Sequence, residues 1–364
     1  MIVPRPQPGI LDISAYVPGA SGSEANAIKL SSNESALGPS PKAVEAYRAA
    51  SASLERYPDG GSVALRNALA AAHGLNAARI VCGAGSDELL YLIATAYLGP
   101  GTEALFTEHS FAIFKLATLG RGATPVMAPE KNLTTDVDAL LARVTDRTRV
   151  VFLANPNNPT GTYIPFDEVR RLHRGLPGQV VLVLDAAYAE YVRHNDYEAG
   201  LELVATSQNT VMTRTFSKVH GLAGLRLGWA YCPESIADVL NRIRPAFNVS
   251  AAAHAAGIAA LGDQGHMQKA IAHNDKWLQW MAQNLAALGL EVTPSAGNFL
   301  LIGFPRDAAK NAAAAETYLK SRSIYLRPMG AYGLGHTLRL TIGTEAENKA
   351  VVAALTDFLK GNGR

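Results

Sequence analysis

The chain has 364 residues, of which 48% are hydrophobic and 18% charged, and its net charge is +2. That length exceeds what one hydrophobic core supports, so two domains are expected in a soluble enzyme or binding protein. Lysine and arginine are spread without a basic block and no apolar run reaches the length of a membrane span, so neither a nucleic-acid partner nor a membrane is expected.

The first forty residues are rich in proline and glycine and lack the apolar stretch of a signal peptide. They are expected to form an arm (residues 1–40) that drapes over a domain or a partner subunit. From Pro41 the pattern alternates between helical and extended spacing. PKAVEAYRAASASLERY and SVALRNALAAAHGL read as helices, RIVCG as a short buried strand, and SDELLYLIATAYLG as a helix with Ser86 at its N-cap. Cys82, in RIVCG, and Cys232 lie far apart outside any CxxC pattern, which suits a reducing cytoplasm and argues against a thiolate metal site. The histidines show no metal-binding spacing either, so no metal is expected.

EALFT and TPVMA read as strands, TTDVDALLARV as a helix with a threonine cap, and PFDEVRRLHRG as a helix opened by proline. RVVFLA and QVVLVLD are continuous β-branched runs, as strands covered on both faces require. The alternation predicts an α/β domain over residues 41–247, with a mostly parallel sheet flanked by helices. After Phe247 come NVSAAAHAAGIAALG and a long helix. The strands NFLLIGF, SIYLRP and TLRLTIG and a final helix follow, read as a smaller α+β domain over residues 248–364.

Polar motifs collect at the predicted C-terminal ends of the large-domain strands: GAGSDE, HSFAIF, NPNNPTG, DAAY and TFSK. In an open parallel sheet that edge is where ligands bind. GAGSDE sets Gly83 and Gly85 before a helix N-terminus, which is either an ordinary turn or an anion site. It is not a dinucleotide fingerprint, because the third glycine is missing. Asp185 closes an apolar run and is either a turn aspartate or the partner of a protonated heterocycle nitrogen. Tyr188 and Asn158 are placed to donate to an oxygen on the same ring, although NPNNPTG is also a turn by composition. Lys218 lies between Ser217 and a glycine-rich loop that ends at Arg226. A lysine amine, an anion site, an acid and the aromatic face of Phe111 are together what an aldehyde cofactor needs. Lys218 is then its covalent anchor and a proton shuttle, and Asp185 keeps the ring protonated.

NPNNPTG, DAAY, TFSKVHGLAGLRLG and LRLTIGT resemble the fold-type I pyridoxal-phosphate aminotransferases. ERYPD, GAGSDE and the spacing from Arg327 to Arg339 are most similar to the histidinol-phosphate branch. The resemblance covers nearly the whole chain. It implies pyridoxal 5'-phosphate as cofactor, with Lys218 as anchor, Asp185 at the ring nitrogen, Asn158 and Tyr188 at the ring hydroxyl oxygen and Phe111 stacked on the ring. It implies Gly85, Ser86, Asp87 (through its backbone), Thr215, Ser217 and Arg226 around the phosphate. Tyr57 is similar to a tyrosine that reaches in from a neighbouring subunit, which implies a homodimer. Arg339, Arg327 and Tyr16 look like contacts to a small-molecule amino donor and to 2-oxoglutarate. Two departures stand out: Ser35 and Ala36 replace Asn and Pro of the family's NENPLG, and Phe111 replaces a frequent tyrosine. Transamination of aromatic amino acids and decarboxylation of threonine phosphate remain alternative activities on the same scaffold.

Overall fold

The structure, a computed structural model, describes residues 4, 6–15, 18–24 and 26–361. The β-branched runs become strands β1 (Ile80–Gly83), β2 (Glu103–Thr107), β3 (Thr124–Ala128), β4 (Thr148–Ala154), β5 (Val181–Asp185) and β6 (Thr210–Thr215), joined by β7 (Gly228–Tyr231). They form one sheet in the order β1-β7-β6-β5-β4-β2-β3. Neighbours pair in parallel, except that β7 runs antiparallel to β1 and to β6. Every residue of β1, β2, β5, β6 and β7 is buried, because helices cover both faces. The edge strand β3 is buried only at Ala128.

Helices α1 (Pro41–Ala50), α2 (Val63–His73) and α3 (Ser86–Tyr97) flank this sheet. Ser40 caps α1 ahead of Pro41, which brings no amide hydrogen to a position that has no use for one. One face packs Val81, Leu89, Ile93, Phe114 and Phe152. The other packs Ile80, Leu65, Leu69, Met212 and Trp229. Phe114 stacks on Phe152 with centroids 4.8 Å apart, and both are fully buried. Cutting either to alanine costs about 3–5 kcal/mol.

Two caps differ from expectation. The N-cap of α3 is Gly85, with φ 85°, so Ser86 is the first helical residue and its side chain is not used as a cap. The helix Val137–Leu141 is capped by Asp136, whose carboxylate accepts from the amides of Asp138 and Ala139, and not by the preceding threonine. Strand β7 and the helix Glu234–Ile243 were not anticipated.

Helix α4 (Ala251–Leu261) lies beyond the change of character at Phe247, yet it packs on α1 and α2. Ala253, Ala256 and Leu261 share a cluster with Leu65 and Leu69. Its small side chains permit close packing: a Cβ on Gly257 would lie 3.4 Å from Leu65 of α2 and 2.5 Å from Leu227. Helices α5 (Gln264–Ala287), α6 (Ala312–Ser321) and α7 (Glu345–Lys360) cover a second sheet. Its strands β8 (Glu291–Thr293), β9 (Phe299–Gly303), β10 (Arg327–Pro328) and β11 (Thr337–Thr341) are antiparallel in the order β8-β9-β11-β10. Trp277, Met281, Leu300, Leu340 and Leu355 form its core. Leu30 joins that core, and Ile28–Lys29 pairs in parallel with Ile324–Tyr325. The segment ahead of Pro41 is thereby strapped to the small-sheet side.

Candidate active site

The C-terminal ends of the parallel strands open on a cavity of about 260 Å³. Lys218, Asp185, Tyr188, Asn158, Ser86, Asp87, Phe111, Thr215, Ser217, Arg226, Arg327 and Arg339 all line it, so the structure brings these sequence-selected residues together. Ala154 ends β4 with Pro156 and Asn158 just beyond, Asp185 ends β5, and Thr215 ends β6 with Lys218 just beyond. Helix α3 points its N-terminus at the same place.

One end of the cavity gathers two hydroxyls, a guanidinium and a helix N-terminus, a set that can hold an anion. The Thr215 hydroxyl donates to Ser217 Oγ at 2.9 Å, and Arg226 Nη1 donates to the same oxygen at 3.3 Å. Arg226 Nη2 donates to the Asp87 carboxylate at 3.3 Å, and α3 has no side-chain cap, so its first-turn amides point out of the helix end uncapped. Gly85 does not line the cavity but permits this arrangement: a Cβ there would lie 2.5 Å from Arg226 Nη2. Gly228 at the start of β7 is similarly pressed against the amide of Ser86.

The same cavity holds further ionisable groups. Asp185 is buried, and its carboxylate accepts from the Thr213 hydroxyl at 3.1 Å. Burial pushes its pKa up to about 7, partly offset by that hydroxyl. Lys218 Nζ donates to the carbonyl of Ser32 at 3.3 Å. Burial, and then the charge of Arg339, bring its pKa down to about 8. Burial raises the Tyr188 phenol to about 12. An acid raised and an amine lowered toward neutrality in one cavity mark a chemically active place.

Arg339 is buried in β11, where Nη1 donates to Asn158 Oδ1 at 2.5 Å and Nη2 to the Ser31 carbonyl at 3.0 Å. A guanidinium can only donate, so the carbonyl of Asn158 faces Arg339 and its NH₂ group is turned away as a donor. Arg327 of β10 stands opposite Arg339 in the strand register. Phe111 is half-buried and meets Phe114 edge-on at 6.0 Å.

Sequence reasoning passed over Lys29, Ser31, Ser32, Asn33, Glu34 and Tyr332, which also line the cavity. KLSSNE carries no periodic or spacing signal that separates a cavity wall from a polar loop. Tyr57 lies outside the cavity: it is 83% exposed and stacks on Phe247 at 4.6 Å. Tyr16 lies outside the described residues. Among the described residues no group of His, Cys, Asp or Glu is placed to hold a metal, and no helix is long and apolar enough to cross a membrane.

A mostly parallel sheet with a lysine, a buried aspartate and an anion cradle at its strand ends defines a class. The chain belongs to the class I and II aminotransferases, whose family profile matches residues 25–355. It is 56% identical to the histidinol-phosphate aminotransferase of Paramagnetospirillum magneticum over 361 residues, covering 99% of each chain. It is 55% identical to the histidinol-phosphate aminotransferase of Rhodopseudomonas palustris over 359 residues, covering 98% of each. Among solved structures, histidinol-phosphate aminotransferase from Sinorhizobium meliloti, in complex with pyridoxal-5'-phosphate, superimposes with a TM-score of 0.87 at 32% identity, covering 92% of this chain and 91% of that one.

Proposed function

We propose that this protein is a pyridoxal-phosphate-dependent histidinol-phosphate:2-oxoglutarate aminotransferase. The observation that carries the reading is the cavity itself: Lys218 and a buried Asp185 share it with an anion cradle and with two arginines on adjacent strands.

The residues fit the cofactor. Asp185 is a buried carboxyl that meets a hydroxyl but no cation among the described hydrogen bonds and ion pairs, and a ring-nitrogen proton supplies what burial lacks. The amides of Ser86 and Asp87, with Thr215, Ser217 and Arg226, hold the phosphate. Asn158 and Tyr188 donate to the ring oxygen, and Phe111 offers its face to the ring. When bound, the cofactor supplies an aldehyde for amino-group exchange and a conjugated ring that draws electron density from the substrate Cα. Lys218 is the anchor. Its lowered pKa makes a neutral amine accessible near physiological pH, and Nζ is the base that takes the proton from the substrate Cα.

Arg339 grips the carboxylate of glutamate through a guanidinium fork already aligned by Asn158 and Ser31. Arg327 beside it adds the second charge that a phosphate ester needs. Exposed Tyr57 serves the site of a second copy, so the working form is a homodimer. Free, buried Cys82 and Cys232 suit a reducing cytoplasm.

A donor panel tests the reading: histidinol phosphate, tyrosine, phenylalanine and threonine phosphate, each with 2-oxoglutarate. The highest kcat/KM is expected for histidinol phosphate. A preference for tyrosine or phenylalanine, or release of carbon dioxide from threonine phosphate, would replace it with one of the alternative activities.

A further inference from the structure

We propose that Asn33, held by Thr341, is a positioning residue that fixes Tyr188 as a hydrogen-bond donor into the cavity. The inference rests on the cofactor reading above and adds to it a direction for one proton.

The direction follows from counting donors. The backbone amide of Asn33 donates to Thr341 Oγ1 at 2.8 Å, and an amide N–H has no other role available to it. Thr341 Oγ1 therefore accepts there and spends its one proton on Asn33 Oδ1, at 3.3 Å. With its carbonyl end engaged, the Asn33 side chain must turn its NH₂ end to Tyr188 Oη, which it meets at 2.9 Å. The phenol oxygen accepts from Asn33, so its own proton points elsewhere, and Tyr188 lines the cavity. The opposite flip of Asn33 would leave the buried Thr341 proton without an acceptor among the described hydrogen bonds.

The surroundings keep the chain of bonds from relaxing. Asn33, Thr341 and Tyr188 are all buried, at 1%, 3% and 3% exposure, so water does not compete for these groups. Asn33 takes φ 55°, a left-handed conformation that asparagine tolerates better than most residues. Its carbonyl accepts from Asn298 Nδ2 at 3.1 Å, which anchors the backbone to the start of β9. Asn158 is oriented the same way by a separate partner, Arg339. Two side chains reached from the small sheet thus have their donors set by a hydroxyl and a guanidinium. Both donors serve one ring oxygen on the proposed reading.

The test reads the visible absorption of the bound cofactor against pH, independent of turnover. Removing a donor from the ring oxygen leaves that oxygen more basic, so the proton associated with it is held to higher pH. Thr341→Val frees the Asn33 amide to flip, present its carbonyl to Tyr188 and capture the phenol proton. The titration midpoint is expected to rise by roughly half to one pH unit, the worth of one neutral hydrogen bond. Thr341→Ser, which keeps the hydroxyl, should restore the wild-type midpoint. In a Tyr188→Phe background, Thr341→Val should produce no further shift. Asn33→Asp provides a second route should Thr341→Val fail to fold: its carboxylate only accepts, and the part of its shift that vanishes in Tyr188→Phe measures the captured proton. A wild-type band that titrates normally and is unmoved by Thr341→Val, or shifts that persist in Tyr188→Phe, would overturn the inference alone. A wild-type protein with no visible band at all would overturn the cofactor reading and this inference with it.

Discussion

Arg339 donates to the side-chain carbonyl of Asn158 at 2.5 Å, which ties strand β11 of the small sheet to the loop after β4 of the large one. The bond runs between a residue proposed to hold substrate and a residue proposed to hold cofactor. Asn158→Ala should therefore disturb both. A buried guanidinium that loses one acceptor costs about 1.5–3 kcal/mol. Cofactor dissociation and the KM for glutamate should each rise ten-fold or more. A variant in which KM rises while cofactor affinity is unchanged would show that Asn158 serves only the arginine.

Asp185 gives a pH dependence that can be read without substrate. Burial raises its pKa from 3.8 to about 7. Below the unfolded value, folded and unfolded chains are both protonated there. Between the two values only the folded chain holds the proton, so its stability falls as pH rises toward 7. Asp185→Asn lacks this titration. The cofactor-free variant should melt above cofactor-free wild type at pH 7.5, with the gap closing by pH 4. Adding pyridoxal phosphate should reverse the order, since an amide cannot neutralise a protonated ring nitrogen. A variant that still melts above wild type with the cofactor bound would remove the ring-nitrogen role.

Lys218 should show its lowered pKa in the rate of cofactor capture. Only the neutral amine attacks an aldehyde, and burial with the Arg339 charge brings the amine to about 8. Capture by the cofactor-free protein, followed by stopped-flow absorbance, should climb with pH and level off just above 8. A rate that continues to climb toward pH 10 would mean a solvated lysine. Borohydride reduction of the loaded protein should fix the cofactor to Lys218, and peptide mass spectrometry that found it on another lysine would remove the assignment.

The parallel sheet was legible because strands buried on both faces are mostly apolar, as VVLVL before Asp185 is. The ligand edge was legible because polar residues cannot follow such runs without a reason. Strand β7 was missed because GWAY is short and lies against the lysine motif, whose glycines read as a loop. The cap of α3 was misread because Ser86 has the chemistry of a cap, whereas Gly85 holds the positive φ that the turn requires. The segment Ser31–Glu34 carried no periodic signal, only the Asn33–Glu34 start of the family's NENPLG. Its place in the cavity is set by Thr341 and Asn298, far along the chain. Pairings of that range are invisible to periodicity.

Tyr57 tests the dimer. It is exposed, stacked on Phe247 and outside its own cavity. If its hydroxyl reaches the phosphate of a second copy, Tyr57→Phe should weaken cofactor retention by roughly 1 kcal/mol. Tyr57→Ala and Lys218→Ala proteins, each impaired alone, should regain activity when mixed, because a hybrid carries one intact site. A chain that sediments as a monomer at assay concentration would exclude this.

Arg327 and Arg339 face each other across β10 and β11, and both line the cavity. Like charges directly opposite in a sheet are unfavourable, and an anion lying between or before them offsets that cost. A carboxylate needs one guanidinium fork. A phosphate ester near neutral pH carries up to two charges and three acceptor oxygens, enough for a second arginine. On the proposed reading Arg339 is shared by both half-reactions, and Arg327 acts mainly on the phosphate. Arg327→Leu should lose roughly 1.5–3 kcal/mol toward histidinol phosphate, the worth of a hydrogen bond to a charged group. That is about ten- to a hundred-fold in kcat/KM, with the glutamate half-reaction much less affected. Arg339→Leu should damage both. Measuring the two half-reactions separately decides the matter: equal losses in the Arg327 variant, or none, would take phosphate selection away from this arginine and favour an aromatic donor.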